Sequence, residues 1–128
     1  RVLKTGGQID YNQQVLARYR KRPDSLSADP VRMYSSILRV LEKAENTLDL
    51  SAGELEAVAE AKAKFRAFQH LNEGKGVLRV GDVSLAIDHL SKANSYFNQT
   101  KLSAFIRLLR VAPKIAKLAF NTRERLRG

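Results

Sequence analysis

The feature that most constrains this chain is a run of apolar residues at helical spacing that begins near residue 30 and continues almost to the end. In the first run, spacings of three and four separate Val31, Tyr34, Ile37, Leu38, Leu41, Ala44 and Leu48. Such spacing puts these side chains on one face of an α-helix. Two later runs have inward positions Leu55, Val58, Ala59, Phe65, Phe68 and Leu71, and then Val83, Ala86, Ile87, Leu90, Ala93 and Phe97. The pattern predicts an all-α bundle of four or five helices.

Residues that favour helix ends mark the boundaries between these runs. Asp29-Pro30 predicts the first helix start, because the carboxylate can accept from a free N–H and proline fits the first helical position. Ser51–Glu54 has the spacing of a capping box and predicts the start of a second, longer helix. Gly81-Asp82 predicts the break before a third helix. Pro113 either kinks the last helical stretch or begins a new helix.

The N-terminal residues do not continue the helical spacing. Gly6-Gly7 is a turn signal, and two short strand-like pieces follow it before a loop that contains Pro23. We therefore divide the chain into a non-helical or short-strand extension, residues 1–29, and a helical domain, residues 30–128. Because the chain begins with Arg1 and not Met, we expect a processed product or a piece of a longer protein.

The basic residues are concentrated at the two ends of the chain. Lys and Arg number 23 against 13 Asp and Glu, which gives a net charge of +10. Residues 101–128 hold eight basic side chains and only one acidic one, whereas residues 31–100 are balanced. A nucleic-acid-binding protein would also have a basic recognition helix or aromatic residues set among the basic ones. The sequence shows neither pattern, so only its charge supports that function.

The residue inventory excludes several kinds of site. The chain has no Cys, which rules out a disulfide framework, a thiolate metal site and a cysteine nucleophile. It has two histidines, His70 and His89. Neither has an obvious acidic partner at ligand spacing, so we expect surface or boundary residues here and no metal site. We find no catalytic arrangement and expect no cofactor in these residues.

The last helical stretch interleaves basic and apolar residues. One face carries Arg107, Arg110, Lys114 and Lys117, and another carries Leu108, Val111, Ile115 and Leu118. This pattern is typical of a helix that lies on an anionic membrane surface. The alternative is a bundle helix that buries its apolar face and leaves its charges in water.

Residues 70–98 resemble one tetratricopeptide repeat, a pair of packed helices. The matching positions are Gly74, Gly81-Asp82, Ala86, Leu90 and Ala93. Gly74 stands where the two helices need close backbone approach, and Ala86 and Ala93 are small enough to let the second helix pack against the first. Two positions depart from the pattern, because Glu73 replaces the usual leucine and Asn98 replaces the closing proline. The resemblance leaves open a protein-interaction adaptor as an alternative to a helical hairpin packed inside a bundle.

A second resemblance lies in the N-terminal segment. The residues Tyr19-Arg20, Pro23, Ser25 and Ser27 match the strand and loop that close the catalytic domain in bacterial family 2 glycosyltransferases. The stretch Ser27-Ala28-Asp29-Pro30-Val31-Arg32-Met33 is similar to the start of the helical C-terminal region in that family. Arg22 and Asp24 depart from the family, which commonly has histidine and glycine there.

The glycosyltransferase resemblance implies a non-catalytic C-terminal module whose parent transfers sugar from a nucleotide-sugar donor. The nucleotide-sugar domain, with its divalent metal, would then be the partner that precedes residue 1. Arg20 and Arg22 would give charge to the diphosphate as part of a lid, and Ser25 and Ser27 would donate hydrogen bonds. The resemblance further implies a cytoplasmic enzyme, with self-association and contact with the inner membrane face as open alternatives.

Overall fold

A computed structural model describes Gly6, Gln13, Gln14 and residues 29–125, with side chains described through residue 122. Within these residues the protein is a bundle of five helices, and no strand occurs among them. The helices are α1 (Pro30–Thr47), α2 (Ala52–Val80), α3 (Val83–Phe97), α4 (Thr100–Val111) and α5 (Pro113–Arg125). The predicted all-α bundle is therefore confirmed. The extension proposed for residues 1–29 lies almost entirely outside the described residues.

The helix ends follow the local chemistry of the sequence. The Asp29 carboxylate accepts hydrogen bonds from the backbone N–H groups of Val31 and Arg32, at 3.0 and 3.2 Å. Gly81 ends α2 with a φ of +111°, a left-handed conformation that glycine adopts at little cost. Pro113 begins α5 and does not merely kink a longer helix, which decides between the two alternatives.

Aromatic rings join α1, α2 and α3. The ring of Phe68 on α2 stacks on Tyr34 of α1 with centroids 5.5 Å apart, and it tilts against Phe97 of α3 at 4.9 Å. Aromatic pairs at these separations add to the gain from apolar burial. Phe68 therefore contacts both neighbouring helices, as its place on the predicted inner face of α2 requires.

The first turns of α2 extend beyond the end of α1. The Lys62 ammonium of α2 lies 2.6 Å from the carboxylate of Glu45, which is in the last turn of α1. Leu55 lies two turns before Lys62 and is 41% exposed. The predicted inward position of Leu55 is therefore wrong, because helical spacing does not show where the neighbouring helix ends.

The hydrophobic core lies where α2 and α3 meet α4 and α5. Its buried members are Leu78, Ala86, Leu90, Ile106, Leu109 and Ala116. Gly74 of α2 lies against α3 so closely that a Cβ placed on it would be 2.9 Å from Leu90 Cγ. The close approach of two helices predicted at Gly74 is confirmed, as is the burial of Ala86 and Ala93 against α2.

Candidate functional site

The four residues assigned to a lid, Arg20, Arg22, Ser25 and Ser27, lie outside the described residues. Their role at a diphosphate therefore stays a prediction from the resemblance. The candidate sites discussed below lie on the five helices.

The first candidate is an exposed surface where α4 passes into α5. Three basic residues are exposed there, Arg107, Arg110 and Lys114. The predicted apolar residues are exposed among them: Leu108 at 38%, Val111 at 85%, Ile115 at 63% and Leu118 at 69%. We call these seven residues the basic–apolar surface.

A different set of side chains holds α4 and α5 in the bundle. Ile106 and Leu109 of α4 and Ala116 of α5 are buried in the core, and Phe105 and Phe120 pack against it. The apolar residues of the basic–apolar surface are therefore not the ones that the bundle buries, in contrast to the alternative given above. Each helix has one apolar side inside the bundle and further apolar residues at the surface.

Lys117 differs from the other three basic residues of this stretch. It is half-buried, and its ammonium lies 3.3 Å from the point where a Cβ on Gly81 would be. This position is at the C-terminal end of α2, where the helix dipole favours a positive charge. Lys117 thus contributes to contact between α5 and α2, and we leave it out of the basic–apolar surface.

None of the described helices has the length and apolarity that crossing a bilayer requires.

A cavity of about 370 Å³ lies between the α2–α3 hairpin and the last two helices. Leu71, Leu78 and Leu90 line one side of it, and Phe105 and Phe120 line the other. α4 and α5 therefore pack over part of the apolar side of the hairpin.

The second candidate is a cluster of three potential metal ligands on α2 and α3. The Nδ1 atoms of His70 and His89 lie 3.2 Å apart. Glu73 Oε2 lies 3.3 Å from His70 Nδ1 and 3.0 Å from His89 Nδ1. All three side chains are half-buried. We call this the His–Glu–His cluster.

We expected neither histidine to have an acidic partner, and this expectation is wrong, because Glu73 lies beside both. Glu73 follows His70 by three residues, a spacing that puts two side chains on the same helix face. A sequence signal was present, because Glu73 occupies the position where the tetratricopeptide pattern has leucine. The spacing of residues along the sequence could not show that His89 of α3 lies beside this pair.

The carboxylate of Glu73 is held on its other side. The Gln69 side-chain amide donates to Glu73 Oε1 at 3.0 Å and to Ser35 Oγ at 3.3 Å. This leaves Glu73 Oε2 facing the two imidazoles. Gly74 also contributes, because the close approach of α2 and α3 there brings His89 Cβ to 3.3 Å from a Cβ placed on the glycine.

Asp88, the residue before His89, is engaged elsewhere. The Lys92 ammonium donates to Asp88 Oδ2 at 2.7 Å. This hydrogen bond, aided by the charges of Lys92 and the two histidines, lowers the pKa of Asp88 below its ordinary value of 3.8. Asp88 is exposed and is not part of the His–Glu–His cluster.

Comparison with known proteins gives no relative for this chain: no protein-family model, curated protein or solved structure matches it.

Proposed function

We propose that the described helices form a non-catalytic module that holds its parent protein at an anionic membrane surface through the basic–apolar surface. The observation that carries this proposal is the exposure of Val111, Ile115 and Leu118 beside Arg110 and Lys114. Exposed apolar residues grouped with basic ones match the two components of a lipid interface, its acyl boundary and its anionic headgroups.

The expected strength of binding follows from the three exposed cations. Each basic residue held near an anionic surface contributes about 1 kcal/mol. Arg107, Arg110 and Lys114 together therefore favour anionic over neutral vesicles by about 100-fold at low salt. The apolar side chains add a contribution that salt does not screen. Binding should thus weaken as salt is added, because headgroup attraction falls within a Debye length.

The parent protein is, in this proposal, a glycosyltransferase that uses a nucleotide sugar. Its support is the resemblance of residues 5–35 to the junction between the catalytic and helical regions of bacterial family 2 enzymes. Enzymes of that kind that act on lipid-linked acceptors often work at a membrane. A helical module that binds the lipid surface would keep the catalytic domain near such an acceptor.

The membrane proposal is tested with a single fluorescent reporter. The chain has no tryptophan, so Ile115→Trp gives a signal from the basic–apolar surface alone. We expect its emission to shift to the blue with vesicles of phosphatidylcholine and phosphatidylglycerol, and not with phosphatidylcholine alone. Val40→Trp is the matched control, because Val40 is 67% exposed on α1, away from the proposed surface. A shift at Val40 without one at Ile115 would refute the proposed orientation.

Charge reversal tests whether the basic residues of the basic–apolar surface contribute to vesicle binding. Arg110→Glu with Lys114→Glu should abolish sedimentation with the anionic vesicles. The control is Arg39→Glu with Lys43→Glu, which changes the net charge equally on exposed positions of α1. Equal losses in the two double variants would show a nonspecific charge effect and overturn the proposal, as would an absence of vesicle binding at low salt. Charge-dependent binding to generic duplex DNA without vesicle binding would favour the nucleic-acid alternative.

The proposed parent is tested separately. We expect the reading frame upstream of Arg1 to encode a nucleotide-sugar domain with acidic metal ligands. An initiator methionine directly before Arg1, or sugar transfer by this chain unaided, would contradict it. The vesicle result does not depend on that outcome.

A further inference from the structure

We propose that the His–Glu–His cluster is a binding site for a divalent transition metal ion of the Zn²⁺ type, which joins α2 to α3. The ligands would be the Nδ1 atoms of His70 and His89 and the Oε2 atom of Glu73. This site is independent of the basic–apolar surface and of the proposed membrane function.

The separations of the three atoms fit a coordination polyhedron. They are 3.0, 3.2 and 3.3 Å. With Zn–N and Zn–O distances of about 2.0–2.2 Å, neighbouring ligands of a tetrahedral ion lie about 3.3–3.6 Å apart. One ion can therefore contact all three atoms with little movement of the side chains. Because the cluster is half-buried, water can supply the remaining ligand, as in zinc sites with three protein ligands.

Protons and a metal ion compete for the same three atoms. A neutral imidazole has one N–H donor and one acceptor nitrogen. If both Nδ1 atoms carry hydrogen, both can donate to Glu73 Oε2, at 3.3 and 3.0 Å. If only one carries hydrogen, the bare Nδ1 of the other histidine faces the Glu73 carboxylate. A bare Nδ1 beside the carboxylate is unfavourable without a cation, which accepts a lone pair from all three atoms.

The surrounding residues supply the support that metal ligands need. Gln69 holds Glu73 Oε1 at 3.0 Å and thereby fixes the direction of Oε2. Hydrogen bonds of this kind to a ligating carboxylate affect metal affinity by roughly 10–100-fold. The close approach at Gly74 fixes the distance between the helices that carry the ligands.

The ligand types select the metal. Two imidazoles with one carboxylate suit Zn²⁺, Co²⁺, Ni²⁺ or Cu²⁺, whereas Mg²⁺ and Ca²⁺ prefer oxygen ligands only. We therefore expect Zn²⁺ and Co²⁺ to bind with one ion per chain, and Mg²⁺ not to bind.

The test uses the untagged chain, in which His70 and His89 are the only two histidines. In long-range ¹H–¹⁵N spectra of the imidazoles, Zn²⁺ should move the Nδ1 resonance of both residues, with saturation at one equivalent. Co²⁺ should give visible d–d absorption at the same stoichiometry. A shift of only one imidazole, or of neither, would overturn the proposal, and so would the same response to Mg²⁺.

Variants then locate the site. Glu73→Gln keeps the side-chain size and should abolish Co²⁺ absorption, and Gln69→Ala should weaken Zn²⁺ binding by roughly 10–100-fold. Glu60→Gln is the matched control, since it removes the same charge from an exposed position of α2. Binding that survives in Glu73→Gln, or that is lost equally in Glu60→Gln, would refute the site. If Glu73→Gln does not fold by circular dichroism, the imidazole spectra of the unchanged chain decide.

A stability measurement completes the test. A ligand that binds only the folded chain raises its melting temperature. Zn²⁺ at about 100 times its dissociation constant should raise it by at least about 5 °C. An unchanged melting temperature at saturating Zn²⁺ would show that the ion does not join the folded helices and would overturn this role.

Discussion

The contact between α2 and α3 at Gly74 can be tested with a single added methyl group. Gly74→Ala would place a Cβ 2.9 Å from Leu90 Cγ and 3.0 Å from Leu90 Cδ2. Real Cβ atoms do not come this close, so Leu90 or the α3 backbone has to move. Leu90 is buried and its Cγ is a branch point near the backbone, so the side chain cannot simply turn into water.

Two opposing effects set the size of the change. Alanine in a helix interior is favoured over glycine by about 0.5–1 kcal/mol. Adding a methyl group to a filled core costs about 1–3 kcal/mol. Gly76 is the internal reference, because it lies on the same helix and a Cβ there would meet nothing within 4 Å. Gly76→Ala gains the helix preference without the steric cost, so the difference between the two variants isolates the packing effect.

We expect Gly74→Ala to be less stable than Gly76→Ala by about 1–3 kcal/mol, as measured by urea denaturation. In thermal unfolding this corresponds to a melting temperature lower by at least about 3 °C. Gly76→Ala itself should be slightly more stable than the unchanged chain. Equal stability of the two variants, or a more stable Gly74→Ala, would refute the close approach of the helices and the geometry that places His89 beside Glu73.

Two further predictions concern a helix end and an ion pair. Gly81→Ala should lower the free energy of unfolding by about 1–2 kcal/mol, because a Cβ disfavours left-handed backbone; unchanged urea denaturation would contradict the φ of +111°. Lys92→Gln should raise the pKa of Asp88 towards its ordinary value of 3.8, which carboxyl NMR titration measures. Because the folded pKa is the lower one, Asp88 stabilises the fold above about pH 4, and this contribution is lost as the pH falls further. An unchanged pKa in Lys92→Gln would contradict the assigned cause.

The sequence predicted much of the fold but only part of each candidate site. Asp29 and Gly81 act on their own helix ends, so their effects are readable from neighbouring residues. Pro113 was only partly readable, since the sequence left open whether it kinks a helix or begins α5. The basic residues and apolar positions at the α4–α5 junction were also readable. Spacing could not decide which apolar side of these helices the bundle would cover, since Ile106 and Leu109 compete with Leu108 and Val111 for burial.

The His–Glu–His cluster shows the same limit more clearly. The pair His70 and Glu73 is local, and the sequence alone places it on one face of α2. His89 lies 19 residues after His70 and is close to this pair only because α3 packs on α2. That packing depends on the space at Gly74 and on the burial of Leu90.

The amino-acid sequence by itself determined where α1, α2 and α3 begin, because capping and backbone preference act within one or two turns. Tertiary structure alone decided which side chains meet and which stay in water, because these depend on how whole helices approach one another. Leu55 is exposed for this reason although its spacing is that of an inward-facing residue. The three atoms of the His–Glu–His cluster likewise come together only through the packing of α3 against α2.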